Sequence, residues 1–369
     1  MTLFLVCATL LLYTYLLFPI VLYLLSFFNS SVPLREDKIE AKVSAIFSYV
    51  NEDLDTVTER IDCLLDNGYE KLEVLVVADG KSNLPLEKLR KKYNERPVTI
   101  LESLEHRGKT AAQNLAAKEA KGEILLFTDA NTKFSKGAVK HLVCALANDD
   151  VGCAVGQLTY QGKGAEASYW SIENWLKILE SRFYSILGAN GAIYALRRKQ
   201  YIELPPFALS DFVEPILLLL FHEKKTVFVP GALAFEDVPR GYGTTFTRKG
   251  RIVLRALNSL PLIVPALNPF RNFRLAFLVW SHKILRWSSA FLVLGLLLGA
   301  WLLPTVPLAF FYFFALFVLT TLFLLIFGLE PPVLGLGAHF AVTLAALCWA
   351  FWALLRGLDA TSWQPSIKN

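Results

Sequence analysis

Hydrophobic and polar positions divide the chain into distinct regimes. Leu3 to Phe28 contains no charged residue, Ser288 to Leu329 contains none, and Val333 to Leu355 holds only His339 as an ionisable group. A membrane helix rises about 1.5 Å per residue and needs roughly 20 apolar residues to cross about 30 Å of hydrocarbon. The first tract therefore predicts one span. The second is too long for one helix and predicts two, with Pro304 and Pro307 at the turn between them. Val333 to Leu355 predicts the fourth.

From about Asp37 to Asn272 the pattern changes to short apolar runs separated by amphipathic stretches, which predicts βα units and a mostly parallel sheet. Val43–Tyr49, Leu72–Val77, Val98–Leu101 and Ile124–Thr128 read as strands. Leu54–Leu65, with apolar residues at 54, 57, 61, 64 and 65, reads as a helix, as do Leu86–Tyr93 and Lys109–Ala120. Leu254–Phe270, apolar with three prolines, reads as interfacial helices below the spans. The expected organisation is an N-terminal span (1–30), a soluble α/β domain (31–252), interfacial amphipathic helices (253–286), three spans (287–356) and a tail (357–369).

Composition agrees with a bilayer. The hydrophobic fraction is 54%, charged residues make up 19%, and mean hydropathy is +0.43, too apolar for an ordinary soluble enzyme. The first tract lacks the basic n-region and small-residue cleavage site of a signal peptide, so it is expected to be retained. Arg35 and Lys38 after the first span, with Lys283 and Arg286 before the second, place the α/β domain on the cytoplasmic side. The net charge of +5 suits an anionic membrane surface but lacks the dense basic patch of a nucleic-acid binder. The five cysteines show no paired metal spacing and read as small buried hydrophobes.

In open α/β sheets ligands lie beyond the carboxyl ends of the strands. Asn51, Glu52, Asp79 and Asp129 fall at such ends, where they are either loop anchors or binding groups. Asp129 and Asn131 bring two oxygen-bearing side chains close together after a strand, a pattern open to a hard divalent cation. His106-Arg107-Gly108-Lys109 precedes a helix, and its positive charges with the helix N-terminus suit a diphosphate. No G-x-G-x-x-G fingerprint and no P-loop is present. Gly188-Ala189-Asn190-Gly191 is either a plain tight turn or a place for close backbone approach to a bulky ligand. Asp211 either caps the helical segment that follows it or presents a carboxylate to substrate.

In the order YVNE, VVADG, HRGKTAAQN, FTDAN, GANGAIYALRR, LSDF and RKGRI, the chain from about Ala41 to Ile252 resembles membrane-embedded family 2 glycosyltransferases. That group contains cellulose, chitin, hyaluronan and poly-N-acetylglucosamine synthases. The resemblance implies a GT-A fold, a mostly parallel α/β sheet inserted between one N-terminal and three C-terminal spans. It further implies that Asp79 contacts uracil, that Asn51 and Glu52 line the nucleotide pocket, and that Lys109 lies beside the diphosphate. Asp129 takes the first acidic place of the D-x-D metal motif and Asn131 the second, which implies Mg2+ or Mn2+ seated mainly with donor present. Asp211 takes the place of the catalytic base, although Leu209-Ser210 stands where the family has Thr-Glu. Gly188, Ala189, Asn190 and Gly191 are expected to floor the acceptor site, with Trp170 and Trp175 on the helix 169–182 walling it.

At Arg248-Lys249-Gly250-Arg251-Ile252 the family's Q-x-x-R-W motif is altered, with Arg for Gln and Ile for Trp. Arg251 and Arg248 are expected to meet the diphosphate as a gating loop closes. The missing Trp removes a surface for stacking a growing chain and favours transfer of one sugar. The activity implied is inverting transfer from a UDP-sugar, UDP-N-acetylglucosamine or UDP-glucose, to a hydroxyl of a glycan or glycolipid at the cytoplasmic membrane face. A polyprenyl-phosphate acceptor is one alternative. A non-catalytic nucleotide-sensing transporter or scaffold is another. With so few spans, a homo-oligomer or an export partner stands open as the route for a translocated product.

Overall fold

The structure is a computed structural model that describes residues 1–28, 41–82, 84–162, 164–238, 241–303, 308–327 and 332–358. The N-terminal segment is one long helix, made of α1 (Thr2–Leu12), a π-helical stretch (Tyr13–Leu17) and α2 (Phe18–Ser26). The α/β region follows with β1 (Val43–Tyr49), α3 (Leu54–Leu65), β2 (Leu72–Asp79), α4 (Leu86–Lys92), β3 (Val98–Ser103), α5 (Lys109–Glu119), β4 (Ile124–Thr128), the short β5 (Lys133–Phe134) and α6 (Ala138–Leu146). It continues through β6 (Val151–Gln161), α7 (Ala165–Phe183), β7 (Ile193–Arg197), α8 (Ser210–His222) and β8 (Lys225–Asp237).

Eight strands form one sheet in the order β3-β2-β1-β4-β7-β6-β8-β5. The β3-β2-β1-β4 half is wholly parallel, while β7 lies antiparallel between β4 and β6. Central β1 and β4 are buried at nearly every residue, as expected for strands covered by helices on both faces. Helix α3 starts where the Asp53 carboxylate accepts from the Thr56 amide at 2.7 Å, and buries Val57, Ile61 and Leu64 along one stripe. The parallel half sends the ends of β1, β2 and β4 to one edge, where the loops converge.

Beyond the sheet come α9 (Tyr242–Ser259), a 3-10 stretch (Leu260–Leu267), α10 (Phe273–Leu278), a π-helical turn (Val279–Ile284), α11 (Leu285–Trp287), α12 (Ser289–Trp301), α13 (Leu308–Phe327) and α14 (Pro332–Leu355). The fold is thus a GT-A-like, mostly parallel sheet flanked by one N-terminal and up to three C-terminal long apolar helices. The run Phe273–Trp287 meets α12 at a 61° bend. Helices α1 and α12 approach closely at Gly295 and Gly299, where an added Cβ would lie 2.7 Å from Cys7 Sγ and from the Phe4 backbone N respectively. Small residues four apart serve this purpose in membrane helix pairs.

The Arg248–Ile252 motif lies inside α9 rather than in a loop, and the expected boundary at 252–253 falls in the middle of the same helix. Arg286 is not a free flanking charge, because it donates to Glu173 of α7. Arg35, Lys38, Pro304 and Pro307 lie outside the described residues. The spans and the α/β region share a core, since Phe18 and Leu22 of α2 pack with Leu176 and Phe183 of α7, Phe212 and Ile216 of α8, and Leu275 and Leu278 of α10.

Candidate active site

Asp79 ends β2 and is 2% exposed. Both its oxygens serve the chain itself: Oδ1 accepts from the Arg107 amide at 2.9 Å, and Oδ2 from the Gly108 amide at 2.8 Å and from His106 Nδ1 at 2.9 Å. A carboxylate acceptor places the hydrogen on Nδ1, and His106 Nε2 is left buried without a partner among the described residues. The observed work of Asp79 is to fix the loop that launches α5. Glu52 likewise turns back, its Oε2 accepting from the Val50 and Asn51 amides at 2.7 and 3.1 Å. Asn51 is exposed at the rim.

The loop held by Asp79 delivers Lys109. Its ammonium donates to Asp129 Oδ1 and reaches the Gly191 carbonyl at 3.1 Å. A Cβ at Gly191 would lie 2.5 Å from Lys109 Nζ, 3.3 Å from Asp211 Oδ2 and 3.5 Å from Asp129 Oδ2. Three residues more than 80 positions apart in the extreme therefore meet over one glycine, which has no side chain because there is no room for one.

Asp211 occupies the first turn of α8, and its carbonyl accepts from the Ala189 amide at 2.7 Å. Burial holds its carboxyl above the ordinary range; Lys109 opposes that shift and Asp129 reinforces it. A carboxylate made more basic in this way suits proton abstraction. Three residues on, Glu214 is 2% exposed, and neither of its oxygens has a hydrogen-bond partner among the described residues. Burial pushes it up to about 8, and the Asp211 charge adds to the shift. Both carboxyls on the first turns of α8 are thus shifted towards the protonated form by burial, Glu214 to about 8. Its position within an apolar run of α8 hid it from the sequence analysis.

Two further charged groups were missed. Glu236 on β8 accepts from Thr132 Oγ1 at 2.8 Å, and the carboxylate acting on it is Asp129. Arg60 on α3 is 2% exposed, donates to Thr128 Oγ1 at 2.7 Å and lies over the Phe134 ring at 4.1 Å. Burial draws Arg60 down to about 10, against the charges of Cys63, Asp129 and Glu236. Arg60 read as a polar position on a helix; only the fold carries it beneath β4.

Asp129 Oδ2 and the exposed Asn131 amide make no hydrogen bond among the described residues. A hard divalent cation prefers about six oxygens and keeps several waters or phosphate oxygens among them. Asp129, Asn131 and nearby Glu236 fit such an ion as partial donors, with a diphosphate completing the set. Among the described residues no group of three His, Cys, Asp or Glu side chains forms a closed metal cage.

The basic face of α9 looks onto the same edge. Arg251 makes no ion pair among the described residues, and the carboxylate acting on it is Asp129. Arg248 is instead held by Glu166 of α7 at 3.5 Å and lies over Tyr160 at 5.7 Å. Arg255 donates to Thr110 Oγ1 at 2.9 Å and to the Ala208 carbonyl at 2.5 Å, tying α9 to the start of α5.

The expected acceptor floor is only partly open. Asn190 is 3% exposed and its amide is spent on the Gly156 carbonyl at 2.9 Å and the Ile193 amide at 3.0 Å, so it pins the loop from below. Gly188 lies beside Asp211 and Phe212. Trp170 packs on the sheet core and donates to Glu166 at 3.1 Å, while Trp175 stacks on Tyr23 of the N-terminal helix with centroids 6.5 Å apart. Trp175 is therefore a membrane-helix contact.

Comparison with known proteins follows this geometry. Residues 44–203 match the model of Glycosyl transferase family 2. An N-acetylglucosaminyltransferase from Azorhizobium caulinodans is 26% identical over 221 residues, covering 54% of this chain and 56% of that protein. Another from Rhizobium meliloti is 27% identical, covering 63% and 60%, and a hyaluronan synthase from Streptococcus pyogenes is 27% identical, covering 36% and 33%. The chain thus spans from about a third to three fifths of the length of these curated relatives. The mannosyltransferase PcManGT from Pyrobaculum calidifontis, in complex with GDP-Man and Mn2+, superimposes with a TM-score of 0.71 at 20% identity, covering 96% of this chain and 99% of that one. That likeness runs through the flanking helices as well as the sheet, so this integral membrane protein has a GT-A-like fold, of which residues 44–203 are similar to family 2 glycosyl transferases.

Proposed function

We propose that the protein transfers a sugar from a nucleotide sugar, UDP-N-acetylglucosamine or UDP-glucose, to an acceptor hydroxyl at the cytoplasmic membrane face, with inversion at the anomeric carbon. The observation that carries this reading is the meeting of Lys109, Asp129 and Asp211 around Gly191. Cationic Lys109 and Arg251 would neutralise a diphosphate beside Asp129, and Asp211 would serve as a separate carboxylate for the acceptor.

Asp211 takes the proton from the attacking hydroxyl. As the oxygen bonds to the anomeric carbon, the bond from that carbon to the diphosphate breaks and the nucleoside diphosphate leaves with the electron pair. Lys109 stabilises the departing charge at close range, and Arg251 adds a forked donor from α9. A single carboxylate serves because the leaving diphosphate is already a good leaving group, unlike the alcohol expelled by glycosidases. Asp129, Asn131 and Glu236 would hold a divalent ion, which would supply further charge neutralisation. The curated relatives named as N-acetylglucosaminyltransferases support the first donor, whereas PcManGT was solved with GDP-Man.

The test is incubation of the full-length, detergent-purified protein with radiolabelled UDP-N-acetylglucosamine, UDP-glucose and GDP-mannose in membrane extract, followed by sizing and linkage analysis. Product from a UDP-sugar supports the reading. Product from GDP-mannose alone overturns the donor assignment, and absence of product with all three favours a nucleotide-sensing scaffold.

A further inference from the structure

Arg60 of α3 is buried under the turn that carries Asp129 and Asn131. Its Nη2 donates to Thr128 Oγ1 at 2.7 Å at the end of β4, and its guanidinium lies 4.1 Å from the centroid of Phe134 in β5. Thr128 in turn donates to the Ala192 carbonyl at 2.6 Å, beside the Gly191 over which Lys109, Asp129 and Asp211 meet. Across the turn, the Thr132 amide donates to the Asp129 carbonyl at 3.4 Å and the Thr132 hydroxyl to Glu236 Oε1 at 2.8 Å. Strand β5 pairs Lys133 with Phe235 and Phe134 with Ala234, so the strand stacked on Arg60 is also the one beside Glu236. One buried cation thus touches both ends of the segment that joins the two carboxylates.

At 2% exposure Arg60 has no ion pair among the described residues, and its Nε has no hydrogen-bond partner there. Its remaining contact is Cys63 Sγ, 3.7 Å from Nη1. A guanidinium stays charged at neutral pH even when buried. A buried cation left without a counter-ion is destabilising, and the carboxylates whose charges act on this one are Asp129 and Glu236.

Asp129 and Glu236 bring two negative charges when both are ionised, and Asn131 brings none. Lys109, in contact with Asp129, and Arg60 beneath it bring two positive charges, before Arg251 on α9 is counted. A divalent cation is therefore offered oxygens without a net negative field. A nucleoside diphosphate would reverse that balance, because it adds its own negative charges and gives Lys109 and Arg251 other oxygens to meet.

We propose that Arg60 makes the ion site depend on the nucleotide: its fixed charge offsets one of the two carboxylates, so that a divalent ion would be held only after a diphosphate has bound. Arg60 is a positioning residue, not a catalytic one, since it acts through Thr128, Phe134 and the field beneath Asp129. This rests on the transferase reading above and adds the order in which that site fills, nucleotide before metal.

The experiment is a Mn2+ titration of the full-length protein in neutral detergent, with the free ion read by electron paramagnetic resonance. It is run without nucleotide and with UDP or GDP, and the nucleotide's own binding of Mn2+ is subtracted. The unaltered protein is expected to bind Mn2+ at least about tenfold more tightly with nucleotide than without it. Without nucleotide, Arg60→Met is expected to tighten Mn2+ binding about tenfold, and Arg60→Lys, which keeps the charge, to match the unaltered protein. A gain of affinity on removing a buried side chain is a result that mere loosening of the turn does not give. Weaker or unchanged Mn2+ binding in a folded Arg60→Met protein overturns the proposal, as does an Arg60→Lys protein that behaves like it. If Arg60→Met does not fold, equal Mn2+ affinity with and without nucleotide in the unaltered protein overturns the proposal, and a nucleotide-dependent gain that Arg60→Lys preserves supports it. Failure of the unaltered protein to bind either nucleotide counts against the transferase reading instead, and the nucleotide-free Arg60→Met titration still decides the charge effect.

Discussion

Lys109, at the first residue of α5, closes onto the carboxylate of Asp129 just beyond the end of β4, and the same ammonium reaches the Gly191 carbonyl at 3.1 Å. The pair links two strand ends through one cation. On the proposed reading, a nucleotide diphosphate would give Lys109 a second anion to serve.

Gly191→Ala is the sharpest probe of that arrangement. Its methyl would lie 2.5 Å from Lys109 Nζ, so the ammonium must move away. We expect UDP affinity to fall roughly tenfold with the thermal midpoint little changed, the size of one charge-assisted hydrogen bond. Isothermal titration with UDP checks it; undiminished affinity would show that Lys109 does not engage the diphosphate.

Asp211→Asn separates chemistry from binding. Transfer is expected to drop about a hundredfold or more, within the range for acid-base groups, with UDP affinity retained. Steady-state rates beside UDP titration decide the point. An equal loss of UDP affinity would place Asp211 in the donor site instead.

Asp129→Ala is expected to remove the metal dependence of UDP binding. Glu236→Gln should weaken it in the same direction, since Asp129 acts on Glu236 and Thr132 fixes the latter at 2.8 Å. Manganese titration followed by electron paramagnetic resonance, with UDP present and no acceptor, reads the ion directly. An unchanged titration in Asp129→Ala would exclude that residue as a ligand.

Glu214 gives the pH dependence a sign. Its ordinary value is 4.5 and burial lifts it to about 8, so between these limits the folded state holds a proton that the unfolded state has lost. Its contribution to stability is full below about 4.5 and is lost as pH rises towards 8, with a limiting slope of about 1.4 kcal/mol per pH unit. Thermal midpoints measured from pH 5 to 8 should fall less steeply in Glu214→Gln than in the unaltered protein. Parallel profiles would show that Glu214 is already ionised.

The parallel half of the sheet was legible because each strand is a continuous apolar run with a polar stop. Val43–Tyr49, Leu54–Leu65 and Ile124–Thr128 coincide with β1, α3 and β4. The second half was harder. In β6, Val151–Gln161, glycines and polar residues interrupt the run, and β8 contains a proline and a glycine. Lys109, Asp129 and Asp211 stood out as charged residues at element ends, where backbone geometry exposes them. Arg60, Lys177 and Glu214 did not, because each lies within a helix and a linear pattern assigns such charges to solvent. Their burial comes from tertiary packing of three separate helices.

The shared core of α2, α7, α8 and α10 joins the α/β region to its membrane anchor. Removing residues 1–28 would strip Phe18 and Leu22 from Leu176, Phe183 and Ile216. Cutting after 252 would sever α9 halfway and take Arg286 and His282 from Glu173 and Glu180. A water-soluble fragment would inherit two stranded carboxylates and an open greasy flank, so the bilayer anchor acts as a structural subunit of the α/β fold.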